Sequence, residues 1–157
     1  MLSVTFDAIY SRFLSKVQAY DLLEIGTDEC LEQLNEWLIS VKSNPRVRKC
    51  FTTLTLDNIG KNISFELRNP VDNDDDVDFV TELFGLGIAW KWIEPKYKSI
   101  LNTSQFFGSK ESKWYSQSNH MAEISKMHSE AKTNLYKHIA SHGYYNNPYL
   151  NSEKGVL

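Results

Sequence analysis

The sequence predicts a mainly α, four-helix bundle-like single domain over residues 1–143, with a small hairpin-like β insertion at about 50–68 and an extended C-terminal arm at 144–157. Three observations predict it. Apolar residues recur at helical spacing in four separate stretches. Between Pro45 and Pro70 that period gives way to two short Thr-rich runs. After Gly143 there is no period at all, only tyrosines, asparagines and a proline.

The first helix is expected from residue 5 to about 20, because Phe6, Ile9, Tyr10, Phe13, Leu14 and Val17 form one apolar stripe between polar residues. Gly26 interrupts the pattern. Thr27 is then the expected N-cap, with Asp28 and Glu29 favourably placed in the first turn, ahead of Leu31, Leu34, Trp37, Leu38 and Val41. This second helix should stop before Asn44-Pro45, since the residue preceding a proline is pushed out of helical geometry.

The runs 51–56 and 62–67, separated by Asp57-Asn58-Ile59-Gly60, predict a β-hairpin. A lone two-stranded ribbon is marginal in water, so it must lean on the helices or on another subunit. The acidic run 72–76 reads as a solvated loop whose charge suits the N-terminus of the next helix. That helix is expected from about Val77 to Ile93, apolar round nearly its whole circumference, and therefore central. Gly85 and Gly87 each cost about 1 kcal/mol against alanine there, which predicts close packing by a neighbouring backbone.

Pro95 is expected to open an irregular stretch that ends at Ser118 or Asn119, either of which can cap a last helix. That helix carries Met121, Ile124, Met127 or His128, Ala131, Leu135 and Ile139, and Gly143 is placed to end it.

Composition narrows the function. The 157 residues are 41% hydrophobic, enough for one core, and a net charge of -3 gives no global drive towards DNA or an acidic membrane. Cys30 and Cys50 form no Cys-x-x-Cys pair and read as free buried thiols. The N-terminus lacks the features of a signal peptide and no run approaches transmembrane length, so a cytoplasmic chain with no membrane contact is expected.

No constellation speaks for catalysis, a cofactor or a metal. The acidic run fails as a calcium loop in both registers, because the turn glycine at position six and the closing glutamate at twelve are missing. His138 and His142 lie four apart, a spacing that suits zinc, but no third ligand is evident, and histidines meeting carbonyls at a helix end explain them more simply. No phosphate loop or nucleophile elbow is present.

Candidate interface residues remain. Lys42, Arg46, Arg48 and Lys49 form the one concentrated basic patch, which suits a phosphate backbone, an acidic protein surface or a plain solvated loop. Leu56 and Ile59 belong to the hairpin. Tyr144, Tyr145, Pro148, Tyr149 and Leu150 have no evident burial site within the chain, and tyrosine is enriched where proteins meet.

The order of these features resembles small head-tail connector, or neck, proteins of tailed bacteriophages. The residues that carry the resemblance are Phe6 to Val17 with Tyr20-Asp21 after them, Leu34-Asn35-Glu36-Trp37-Leu38, the helix Phe79 to Pro95 closing on Trp92-Ile93-Glu94-Pro95, and Lys110 to His120. Together they cover about two-thirds of the chain, leaving 51–67 and the residues beyond Gly143 without a counterpart. The resemblance implies a non-enzymatic virion protein, assembled in the host cytoplasm, that forms a homo-oligomeric ring on the portal protein. Such a ring meets the next neck or tail component and continues the DNA channel. The alternative is a small nucleic-acid-binding regulatory protein that uses the basic loop 42–49.

Overall fold

The computed structural model describes residues 1–19, 22, 24–106 and 112–145, with side chains at 100–118 and 145 outside the described set. The elements run β1 (Leu2–Thr5), α1 (Phe6–Leu14), α2 (Thr27–Lys42), α3 (Pro45–Arg48), β2 (Phe51–Asp57), β3 (Asn62–Leu67), α4 (Asn73–Phe106) and α5 (Ser112–Tyr145). The chain is mostly helical and carries a small antiparallel sheet of three strands in the order β1-β3-β2.

The expected hairpin is present, and it gains a third strand. Residues Leu2 to Thr5 pair with Phe65 to Asn62 along the free side of β3. Four residues are too few to show a strand period, and Thr5 then doubles as the N-cap of α1, its hydroxyl accepting from the Ala8 amide at 3.2 Å. The third strand answers the marginal stability of a two-stranded ribbon. Val4, Ile63, Phe65 and Leu67 turn one face of the sheet into the core, whereas Thr55 and Glu66 stay in water.

Helix α1 ends at Leu14, several residues before the expected end. The Ser15 hydroxyl donates to the Arg12 carbonyl at 2.6 Å, the kind of local bond by which serine competes with helix propagation. Gly26, not Thr27, is the N-cap of α2, while Asp28 and Glu29 do stand in its first turn and Ser43 caps its end. Asn44 then caps the one-turn helix α3, which has Pro45 in its first turn. The basic loop is therefore in part helical.

Helix α4 is the centre of the fold, as its all-round apolar sequence implies. It packs against α1, α2, β1 and α5. It begins at Asn73, earlier than expected, because the Asp72 carboxylate accepts from the Asp75 amide at 2.8 Å and the Asp72 carbonyl accepts the first helical bond from Asp76. The acidic run is thus mostly first turn, and Asp76 is buried, accepting from the Val71 amide at 3.0 Å.

Pro95 does not end α4. A proline inside a helix costs about 3 kcal/mol. Contacts on both sides offset that cost. Trp92 and Ile93 are buried just before it, Tyr97 stacks on His128 just after it, and Glu94 pairs with Lys91 and Lys98 across it. The stretch after Pro95, expected to be irregular, is helical to Phe106. The last helix starts at Ser112 rather than near Ser118, and it passes through Gly143 to Tyr145. The expected bundle of four helices is thus replaced by helices arranged round α4 with a sheet on one side.

The glycines of α4 mark close approaches. A Cβ on Gly85 would stand 3.4 Å from the Phe13 amide nitrogen and 3.0 Å from the Arg12 side chain, and one on Gly87 would stand 2.5 Å from a Val41 methyl. Gly85 lets the backbone of α1 in, as expected. Gly87 admits a side chain of α2 instead.

Candidate interaction surfaces

The basic residues divide by environment. Arg46 lies over the Tyr136 ring at 4.0 Å, so its guanidinium helps dock α5. Arg48 and Lys49 are exposed, and Lys42 is half-buried. Arg46 is exposed as well, so three of the four cations of the patch stay at the surface. At the hairpin, Ile59 is 95% exposed at the turn, while Leu56 is half-buried against the core. Ile59 and Leu56 both remain candidate contacts, Leu56 with only part of its surface accessible. Asp57 holds this turn by accepting from the Ile59 and Gly60 amides at 2.9 and 3.0 Å, and Lys61 takes the left-handed conformation at φ 53°.

At the C-terminal end, α5 carries Tyr144 with 67% of its surface exposed. Tyr145 closes the helix, and Pro148, Tyr149 and Leu150 lie outside the described residues, as do the ring positions of Trp114 and Tyr115.

The sequence gives no hint of a groove between α1 and α2. It has a volume of about 540 Å³, and its lining includes Tyr10, Leu14, Leu22, Ile25, Leu31 and Leu34. Leu14, Ile25 and Leu31 are all exposed there, although their helical spacing would mark Leu14 and Leu31 as core. The Tyr10 hydroxyl is pushed up to about 12 by burial and by the nearby Asp7 carboxylate, and it stays protonated as a donor. Cys30, also in the lining, is a half-buried free thiol. Cys50 is half-buried too, and burial pushes its thiol up to about 11. Neither cysteine is fully buried, contrary to expectation.

The histidines serve the fold. His138 and His142 both stack with one ring, Phe79, at 4.7 and 3.9 Å between centroids. Their Nε2 atoms meet the carbonyls of Phe79 and Asn69 at 3.1 and 3.0 Å, so each ring donates from Nε2. The expected carbonyl contacts exist, but they reach across to α4 and to the segment before it rather than to the end of α5. His128 differs. The Trp90 indole N–H donates to its Nε2 at 3.3 Å while its ring lies flat on Tyr97 at 4.2 Å. Burial lowers both His128 and His142, and in His142 it outweighs the opposing pull of the Asn69 carbonyl and Asp76.

Arg12 donates to Asp78 at 2.8 Å and to Glu82 at 2.9 Å, and Lys16 also pairs with Glu82. Among the described residues, no group of three or more His, Cys, Asp or Glu is placed to hold a metal ion. No helix among them is long and apolar enough to cross a membrane. No protein-family model, curated protein or solved structure matches the chain.

Proposed function

We propose that this chain is a structural neck protein of a tailed bacteriophage, a head-tail connector that forms a ring between the portal vertex and the tail or stopper proteins and continues the DNA channel. One observation supports the reading most. The segments that resemble the neck family are the ones that build the body: Phe13 of the opening segment meets Trp92 of the central helix edge-on at 6.3 Å, and meets Trp37 of the second helix at the same distance. The stretch 51–67, which has no counterpart, also gives Phe51, Ile63 and Phe65 to the core, but its turn carries the exposed Ile59, and Tyr144 is exposed near the end of α5.

This division suits a ring subunit. A closed ring needs two different patches on each copy, one fitting the other under rotation. The body supplies the rigid wedge, the tyrosine-rich segment is one candidate patch, and the hairpin with Arg48 and Lys49 faces another component. The nucleic-acid alternative rests on the exposed Arg46, Arg48 and Lys49, set against a net charge of -3.

The test is assembly. Removing the chain from the phage that encodes it should give filled heads and finished tails that fail to join, and adding purified protein should restore infectivity. A chain ending at Tyr145, which keeps all of α5, should fold and yet fail to restore joining. Complete infectious particles lacking the chain would overturn the reading. A strong salt-sensitive DNA affinity, abolished by Arg48→Ala and Lys49→Ala, would favour the regulatory alternative.

A further inference from the structure

We infer that the groove between α1 and α2 is the seat for residues 148–150 of a neighbouring copy, which makes it the receiving patch of the ring contact. The inference rests on the ring reading above and names the two surfaces that meet.

Among the described residues, the groove is lined mainly by apolar side chains, some of them open to solvent. Leu14 is 50% exposed, Ile25 37% and Leu31 46%, and all three line the same depression. The other large exposed hydrophobics, among them Ile39, Ile59 and Val71, lie outside that lining. Clustering of this kind marks an interaction site, whereas scattered exposure does not. Among the described residues of the lining, Asp7 alone carries a charge, beside Tyr10.

The segment that follows α5 matches in chemistry. Residues 144–151 read Tyr-Tyr-Asn-Asn-Pro-Tyr-Leu-Asn, without a charge, so an apolar groove takes them without stranding an ion. Leu150 offers an aliphatic group for Leu14 and Leu31. Tyr149 brings an aromatic body with a hydroxyl that can donate to Asp7 at the rim, and a tyrosine so placed contributes area at little entropic cost.

The length of the segment suits a second copy. Helix α5 lies along the flank of α4 that carries Phe79, Trp90 and Tyr97, whereas α1 lies along the flank with Asp78, Glu82 and Gly85. By helical geometry these flanks are about a third of a turn apart. An extended run as long as residues 146–157 spans up to about 40 Å, enough to reach an adjacent subunit.

Cys30 in the groove provides the test. In the full chain with Cys50→Ser, the substitutions Pro148→Cys, Tyr149→Cys and Leu150→Cys are made singly, and each protein is oxidised at high concentration. The expected result is a ladder of disulfide-linked dimers and higher species on a non-reducing gel for at least one position. It should be lost in Cys30→Ser and cut about tenfold by Leu31→Glu, which removes an exposed leucine's share of the contact. Leu31 is half-exposed, so the variant keeps its fold, which circular dichroism verifies.

Disulfides to Cys30 formed only within one chain, or none at any of the three positions, would overturn the inference. If particles contain the chain at the neck and the ladder is absent, the ring reading stands without this contact. If the ladder forms and the chain is absent from virions, the contact stands without the neck assignment.

Discussion

Two flanks of α4 hold their neighbours by different chemistry. Towards α1 and α2, the helix offers Gly85, Gly87 and Trp92, and receives Phe13, Leu38 and Val41, all of them nearly or wholly buried. Towards α5 it offers Phe79, Trp90 and Tyr97, and receives three histidines. Only Ile124 and Leu135 of α5 are fully buried among its described residues, although the helix is far longer than α1. Dense apolar packing costs nothing to keep at any pH. On the α5 flank, burial makes His128 and His142 harder to protonate, so that packing responds to acid.

The largest expected effect exploits this contrast. Phe13→Ala opens a cavity where α1, α2 and α4 meet and should cost about 3–5 kcal/mol, lowering the midpoint of urea unfolding for the whole domain. Leu135→Ala should act locally, raising amide exchange along α5 while the sheet and α1 keep their protection. Equal loss of protection everywhere after Leu135→Ala would show that the two flanks unfold as one unit.

The two glycines sharpen the same point. Gly87→Ala sets a methyl 2.5 Å from Val41, which is itself buried, so overpacking of about 1–3 kcal/mol should exceed the gain of about 1 kcal/mol in helix propensity. Gly85→Ala meets Arg12 Cγ at 3.0 Å and Cβ at 3.3 Å, so it asks for a shift of only a few tenths of an ångström, which the gain in helix propensity can offset. It should be neutral or mildly stabilising by thermal melting, and a large loss there would mean that the backbone approach of Phe13 governs.

Acid should separate the flanks. His128 and His142 titrate below their ordinary 6.5 in the fold, so near that value the unfolded chain binds more protons than the native one. Stability is therefore full above it, falls as pH drops through the ordinary value towards the depressed ones, and levels off below them. Protonating His128 on Nε2 also removes the acceptor for the Trp90 indole. Amide exchange in α5 should rise as pH falls below the ordinary histidine value of 6.5 while α1 changes little. His128→Phe keeps a ring on Tyr97 without a titrating nitrogen and should flatten that rise.

How much of this is legible in the sequence depends on how local the signal is. The hairpin, the start and stop of α2 and the central place of α4 follow from period and composition over a few residues. Strand β1 is invisible because its pairing partner lies some sixty residues away and its own four residues have no pattern. Helix α4 runs on past Pro95 because of tertiary contacts, Trp92 and Ile93 in the core and Tyr97 on His128, that overrule a strong local preference. For the same reason Arg46 looks like a free cation until Tyr136 is placed beneath it, and Leu14 and Leu31 look like core until α1 and α2 are seen to leave a groove between them.

The smallest effect lies at the one place where the α1 flank does carry charge. Arg12 and Lys16 both pair with Glu82, and Arg12 also reaches the exposed Asp78. Burial pushes the Glu82 carboxyl up, but Lys16 and Arg12 together hold it below its ordinary 4.5. A depressed carboxylate stabilises the fold above its ordinary value and loses that contribution as pH falls through the folded one, a window well below that of the histidines. Because these side chains keep contact with water, Glu82→Gln should cost only about 0.5–1 kcal/mol at neutral pH, and less at high salt. Acid unfolding followed by tryptophan fluorescence should then show two stages, with α5 loosening first. Glu82→Gln should alter only the second stage and His128→Phe only the first. A single stage moved by both variants would mean that the two flanks are coupled through α4 more tightly than their chemistry implies.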